Sequence, residues 1–303
     1  MKGYHRGIRL KERWAQHLFC GYVLLPIVGL YAFLRFIPIG STFYLSFHRW
    51  NLINRVKPFV GLSNYGKLLH NPEFLTALGN TTLFTVVTVP VTFVLSLGLA
   101  VVLQSQRMKR AVSAYQLVYF IPVVTSMVPV AVVWKWIYDP QYGLLNYVLS
   151  LVGIAPKAWL MDPHTALWAI MVMSVWKVIG YYMVILLVGL KGISSQYYEA
   201  AAIDGATGWK QFRYITLPLL KPIILFVLVI STINAYNVFT QVYVMTVGSQ
   251  GAPGSVVRVL VYDIYENGFR FYKMGYASAE AVVLFLIVVL FTAVEFRLAR
   301  ERS

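Results

Sequence analysis

Charge is what this chain has least of. Only 12% of its 303 residues are Asp, Glu, Lys or Arg, while 59% are hydrophobic and the mean hydropathy is +0.67. That leaves too few polar groups to clothe an ordinary water-soluble surface, so the solvent for most of the chain is lipid. Cysteine is nearly absent: Cys20 alone, inside an apolar run, excludes an intrachain disulfide framework. Acidic side chains number 11 and stand singly, so no carboxylate pair is set up for general acid–base catalysis. The five histidines, His5, His17, His48, His70 and His164, are scattered and offer no metal-ligand spacing. No phosphate-cradling G-x-x-x-x-G-K-[ST] loop is present; Gly205-Ala-Thr-Gly-Trp-Lys210 lacks its second half, so the chain is not expected to bind ATP itself. The net charge of +15 does not point to nucleic acid, because the basic residues flank apolar runs and form no stripe interleaved with aromatics. No internal repeat is evident either, which withholds support from the inverted-repeat design of many secondary carriers.

What is there is a series of long apolar runs. Six have the roughly 20-residue length that a hydrocarbon core of about 30 Å requires of a helix, at residues 18–46, 80–103, 113–137, 165–189, 222–247 and 274–296. This predicts an all-α polytopic membrane protein. Pro26, Arg35 and Pro38 interrupt the first run, which is expected to kink and emerge in part from the outer surface. No Ala-x-Ala cleavage site closes it, so it reads as a retained span.

Orientation follows from the distribution of Lys and Arg. With both termini inside, the inner segments carry fifteen: five before the first span, three at Arg107–Arg110, four from Lys191 to Lys221, and three after Glu295. The outer segments carry eight, and Arg35, Lys135 and Lys177 fall within spans. The loop between spans four and five is therefore expected in the cytoplasm. A helix capped by Ser194 or Ser195 is expected to begin near Gln196, with Glu199 in the turns where the helix dipole favours an anion. Its exposed Tyr197, Tyr198 and Ile203 suit either a partner's groove or, as the alternative, the lipid headgroups. Gly205 is expected to end that helix, and Leu217-Pro218 to stop a second before the chain re-enters lipid.

Tyr198-Glu-Ala-Ala-Ala-Ile-Asp-Gly-Ala206 followed by Ile215-Thr-Leu-Pro-Leu-Leu-Lys-Pro222 resembles the cytoplasmic EAA loop of permease subunits in bacterial ATP-binding-cassette importers, specifically the carbohydrate-type permeases related to maltose and glycerol-3-phosphate importers. Shorter pieces follow in the same order: Phe59-Val-Gly-Leu-Ser-Asn-Tyr65, Trp136-Ile-Tyr-Asp-Pro140 with Gly143-Leu-Leu-Asn146, Ser174-Val-Trp-Lys177, Ile264-Tyr-Glu-Asn-Gly-Phe269 and Gly275-Tyr-Ala-Ser278. The resemblance spans about residues 18–297. It implies a permease domain at 18–297, with its EAA loop at 190–221, between cytoplasmic tails at 1–17 and 298–303. It further implies a bacterial inner membrane, a sister permease in a heterodimer, two ATPase subunits carrying ATP and Mg, and an extracytoplasmic solute-binding protein. Tyr198, Glu199, Ala200, Ala201, Asp204, Gly205, Ala206, Ile215, Leu217 and Pro218 would then couple the permease to the ATPase. Val256 to Tyr265 has helical periodicity, with Arg258, Asp263 and Glu266 on it; the resemblance implies that it helps face the binding protein, an ordinary structural hairpin being the alternative.

A solute path is sought among polar groups within spans, since these are costly in lipid. Ser231, Asn234, Asn237 and Gln241 fall within about a third of one helix circumference, with Tyr236 or Tyr243 offering an aromatic face. This stripe either hydrogen-bonds a sugar or pairs amides across the bundle. Lys177, with Tyr181 one turn on, is the deep ionisable group; it either meets a backbone carbonyl or amide or attracts an anionic solute. Arg35, Lys135 and Glu280 lie toward the outer edge and form a candidate gate if they meet, snorkelling being the alternative for the two cations. The rival functional reading is an ion- or proton-coupled secondary carrier of small solutes.

Overall fold

The computed structural model describes residues 19–105, 112–246 and 257–300. The tail at 1–17, the Arg107–Arg110 cluster and the glycine-rich stretch at 248–254, which the sequence marks as an expected turn, lie outside them. The described residues are helical, with one isolated bridge between His48 and Phe59 and no strand. The helices are α1 (Phe19–Ser46), α2 (Ser63–Leu69), α3 (Pro72–Gln104), α4 (Val112–Val124), α5 (Met127–Ile137), α6 (Leu144–Ser150), α7 (Ala166–Lys191), α8 (Ser195–Ile203), α9 (Leu217–Tyr236), α10 (Thr240–Thr246), α11 (Leu260–Tyr265) and α12 (Met274–Arg300). Among the described residues five helical segments are long and apolar enough to cross a membrane, and a sixth span results if α4 and α5 are one broken crossing.

The expected spans are all found, with three corrections. The third is not continuous: α4 and α5 meet at 98° across Thr125 and Ser126. Pro122 and Pro129 flank that corner, and the second sits among the first turns of α5, where a missing N–H breaks no helical bond. Leu217-Pro218 does not stop a helix. The chain runs helically from Trp209 through a wide π turn at Phe212–Thr216 straight into α9. Pro38 is accommodated in the same way, by the π turn Ala32–Phe36 inside an otherwise unbroken α1. In both cases the residue before proline donates five residues back, Ile37 to Ala32 and Leu217 to Phe212, and the widened turn takes up the ring that would otherwise strike a carbonyl four residues back. α12 also runs past residue 298 without a break.

α3 and α7 pack along each other at the centre, α4 lies on α7, and α9 bridges α3, α7 and α12. Two hydrogen bonds lock the central pair, Ser96 Oγ to the Ile179 carbonyl at 2.9 Å and Gln104 Nε2 to the Leu190 carbonyl at 3.1 Å. Leu97, Leu103, Met183, Leu186, Leu190 and Leu220 form the apolar core near the α8 end. A second core, around Ala166, Ile170, Met173, Val242 and Met245, lies beyond it. α1 is different: its apolar window is 0% buried, and only its last turns touch α12, where Phe43 meets Phe285 edge-on at 5.8 Å.

The resemblance motifs turn out to be stitching at the end of the bundle far from α8. Buried Asn64 donates to the carbonyls of Ser46 at 2.8 Å and His48 at 3.0 Å. Gly275 N donates to the Trp50 carbonyl at 3.1 Å, and a Cβ on Gly275 would lie 1.9 Å from the His48 carbonyl oxygen. Buried Asn146 gathers the loop between α5 and α7: it donates to Lys157 O at 2.9 Å and accepts from Lys157 N at 3.1 Å and Trp159 Nε1 at 2.8 Å. Asp139 Oδ1 accepts the Gln141 and Tyr142 amides at 2.9 and 2.8 Å, and these bonds hold its carboxyl below the ordinary range.

Gly180 is where α7 admits α4, because a Cβ there would stand 1.9 Å from the Tyr119 carbonyl oxygen. Gly180→Val should therefore push α4 off α7 and cost about 1–3 kcal/mol, read as a lower melting temperature of the purified protein in detergent; an unchanged melt would refute the contact.

Candidate functional site

The loop after α7 is built around its own small helix. Ser194 caps α8 by accepting the Gln196 amide at 3.4 Å, so the helix begins where the sequence places it. Its other end is closed by a Schellman motif: Gly205, at φ +75°, donates to the Ala202 carbonyl at 3.1 Å, and Ala206 N donates to Ala201 O at 2.8 Å. No buried residue lies on α8. Glu199, Ala200, Asp204 and Gly205 are exposed, and Tyr198, Ala201 and Ala206 are half-buried. Ile203 is 88% exposed and Trp209 72%, so apolar surface is concentrated where the loop touches nothing.

One side of α8 is tied down. Tyr198 OH lies 3.0 Å from Thr216 Oγ1, and Gln211 Nε2 donates to the carbonyls of Tyr198 at 3.3 Å and Ala206 at 2.8 Å. Ile215 and Leu217 are half-buried beside buried Thr216, and Pro218 is exposed. The helix is thus braced against the π turn that opens the fifth span, while its Glu199 side is free.

Within the bundle, a cavity of about 320 Å³ opens between α3, α7 and α9, with Met127 of α5 and the α9–α10 break on its wall. Ser231, Asn234, Asn237 and Gln241 all line it. Two of the four also cross to α7: Asn234 Nδ2 donates to Tyr182 OH at 3.3 Å and Gln241 Nε2 to Ser174 Oγ at 3.4 Å. Both bonds are long, and Asn237 is otherwise occupied with its own helix, donating to Ile233 O at 2.7 Å. Tyr236 is not on the cavity. It is fully buried on the other side of α9 against Phe291. Tyr181 turns away too, with its ring against that of Tyr182 at 5.1 Å, and Tyr243 packs among Phe239, Tyr262 and Tyr265.

Sequence reasoning overlooked the opposite wall. Thr88 and Thr92 of α3, Ser174 and Tyr182 of α7 and the rings of Phe84 and Phe239 also line the cavity. The signal was present: Thr81, Thr85, Thr88, Thr92 and Ser96 recur at helical spacing through an otherwise apolar span, and all five are buried. Three of their hydroxyls donate to carbonyls four residues back, Thr81 to Ala77, Thr85 to Thr81 and Thr88 to Phe84, which lets a polar face stay within lipid depth. Among the described residues, no charged side chain lines the cavity. Lys177 stands one turn from Ser174 but aims its Nζ at the carbonyls of Pro122, Val123 and Thr125.

The three candidate gate residues are not brought together. Arg35 is exposed on α1 and Lys135 half-buried on α5. Glu280 is 0% exposed, accepts from Asn267 Nδ2 at 3.0 Å and faces Asp263. The cation beside this pair is Arg258, which sequence reasoning gave no role in a gate. It contacts Glu73 at 2.6 Å and Asp263 at 3.3 Å, pairs with Glu266, and so joins α3 to α11 and the turn after it. Arg270 adds a second contact to Glu266 at 2.7 Å. Burial works to raise the Glu266 carboxyl, but the two arginines outweigh it and hold it low. Asp263 goes the other way: burial raises it, and Arg258 offsets only part of that.

A carboxyl raised in the fold stabilises below its unfolded value and loses that contribution as pH climbs through the folded one. As pH rises above Asp263's ordinary 3.8, the protein should lose thermal stability, and Asp263→Asn should flatten that decline; equal slopes in the two proteins would count against it.

Residues 93–302 match the family described as "Binding-protein-dependent transport system inner membrane component". The chain is 35% identical over 295 residues to the trehalose/maltose transport system permease protein MalF of Thermococcus litoralis, covering 97% of each. It is 32% identical to the arabinooligosaccharides transport system permease protein AraP of Bacillus subtilis, over 97% of this chain and 91% of that one. The fold superposes on a chain of a bacterial ABC transporter involved in import of the acidic polysaccharide alginate, with TM-score 0.85 and 22% identity over 97% of this chain and 99% of the other. An apolar helical bundle that matches these permeases from end to end belongs to the binding-protein-dependent inner membrane components, and it is a permease subunit of an ATP-binding-cassette importer.

Proposed function

We propose that this chain forms half of a translocation pore for a sugar or related neutral solute in a bacterial inner membrane, and that a separate ATPase drives it through α8. The observation that carries the reading is the pairing of an exposed, Schellman-closed helix braced on the fifth span with a polar cavity at that span's far end. Family membership sets aside the ion- or proton-coupled carrier. In this reading both termini and α8 are cytoplasmic, which the excess of Lys and Arg on that side supports. Glu199 makes a charge-assisted contact in an ATPase cleft, Ala200 and Ala201 let the surfaces close, and Ile215, Leu217 and Pro218 carry the push into α9.

The cavity suits a neutral, hydroxyl-rich molecule. Its lining offers amides at Asn234, Asn237 and Gln241, hydroxyls at Thr88, Thr92, Ser174 and Ser231, and flat rings at Phe84 and Phe239. At about 320 Å³ it lies at the small end of ligand pockets, which run from about 300 to 1,000 Å³. Relatives named for trehalose, maltose and arabinooligosaccharides favour the same class. The uncovered α1 supports a sister permease in the membrane, and two ATPase subunits with ATP and Mg below, and a solute-binding protein outside, complete the assembly. Hydrolysis belongs to the ATPase; this chain moves solute.

Glu199→Lys should leave membrane insertion intact while weakening ATPase co-purification on the order of tenfold or more and abolishing uptake, since reversing one charge at a contact costs several kcal/mol; normal uptake would end the socket reading. Gln241→Leu should preserve assembly yet cut maltose-stimulated transport about tenfold, because a cavity acceptor or donor then goes unpaired. Unaltered transport by that variant would assign the stripe to helix pairing alone.

A further inference from the structure

At the corner of the third span one side chain gathers the freed carbonyls. α4 ends at Val124 and α5 begins at Met127, so the last carbonyls of α4 have no N–H of their own helix to meet. In lipid no water stands ready to replace it. Lys177 of α7, 6% exposed, donates from Nζ to Pro122 O, to Val123 O at 3.2 Å and to Thr125 O at 2.8 Å. Three acceptors consume the three hydrogens of an ammonium, and none is left for a solute. Among the described residues Lys177 has no ion pair with a carboxylate.

Three successive turns of α7 serve three neighbours here. Ser174 lines the cavity and takes Gln241, Lys177 binds the corner, and Gly180 admits Tyr119 of α4. Beyond the corner, α5 packs on α10, whose first residues Thr240 and Gln241 also line the cavity, as does Met127 itself. The angle between α4 and α5 therefore decides where Met127 stands and, through α10, where Gln241 stands.

We propose that Lys177 is a positioning residue for transport: by fixing the α4–α5 corner it sets the cavity wall that carries Met127 and Gln241, without touching solute. The inference rests on the cavity being the solute site. Lysine suits the task because its three donors radiate from one compact atom toward three carbonyls of one helix end. A guanidinium fork is planar and an amide brings two donors.

The test uses the complete transporter with its ATPase and binding protein, in a Cys20→Ser background carrying spin labels at Leu117→Cys and Val133→Cys, two exposed positions on α4 and α5. Lys177→Met should broaden the distance distribution between the labels and lower uptake per assembled complex about tenfold, equally for maltose as a neutral probe and glycerol 3-phosphate as an anionic one. Lys177→Arg, which keeps charge and donors but spreads them over a planar fork, should recover only part of both. An unchanged distance distribution overturns the inference, as does a loss confined to glycerol 3-phosphate, which would put the ammonium on solute. A lower melting temperature with uptake per complex intact overturns it as well, leaving only a structural lysine. Gln241→Leu is run beside these: if it leaves uptake unchanged, the cavity reading fails, while the label distances still judge the corner separately.

Discussion

A helix that breaks within lipid must find partners for its freed carbonyls, and that requirement shapes most of this molecule. Each buried carbonyl left unpaired costs about 1–3 kcal/mol, with no water at depth to soften the loss. The third and fifth spans both break beside the cavity, at Thr125–Ser126 and after Tyr236. The first break is resolved by Lys177, and at the second the Asn237 side chain bonds back to Ile233. The polar residues that looked functional in sequence are thus divided between lining the cavity and holding the broken helices around it.

The far end of the bundle solves a related problem with charge. Asp263 and Glu280 are fully buried and Glu266 nearly so, against one buried guanidinium, Arg258; Arg270 and Glu73 are more exposed, Glu73 at 62%. Arg258 binds three elements because each needs it: the N-terminal turn of α3, α11, and the turn leading to α12. Asn267 then joins that turn to Glu280 on α12. A buried charge network of this kind adds little net stability over an apolar core, but it tolerates only one arrangement of its members. It registers the loops at this end much as the buried asparagines do.

Span number, helix class and α8 were legible in the sequence because each rests on local rules: apolar run length, the Ser194 cap, and a glycine free to take φ +75°. The polar stripe on the fifth span was legible for the same reason, as helical spacing is local. What could not be read was anything set by contact between segments. Tyr236 and Asn237 are adjacent, yet one is core and the other faces the cavity, and only the placement of α12 decides which. For Lys177 the sequence favoured a backbone carbonyl or amide over an anionic solute, but which carbonyls it would meet could not be read until the corner of the third span was located. Glu280 was sought beside Arg35 and Lys135, which the charge list made available, whereas the fold supplies Asn267, Asp263 and the neighbouring Arg258. The threonine face of α3 was readable, and was passed over because hydroxyls that bond back to their own helix hardly disturb an apolar profile.

The brace between Tyr198 and Thr216 has a mechanical consequence. Because Gln211 ties the same strut at two further points and the π turn beneath it continues into α9 without a loop, α8 has little compliance of its own. A load placed on its free side would pass through these contacts to the fifth span, whose opposite extremity is the Asn237 break. With the brace at one end and the helix break at the other, the fifth span would carry any displacement of α8 toward the polar wall.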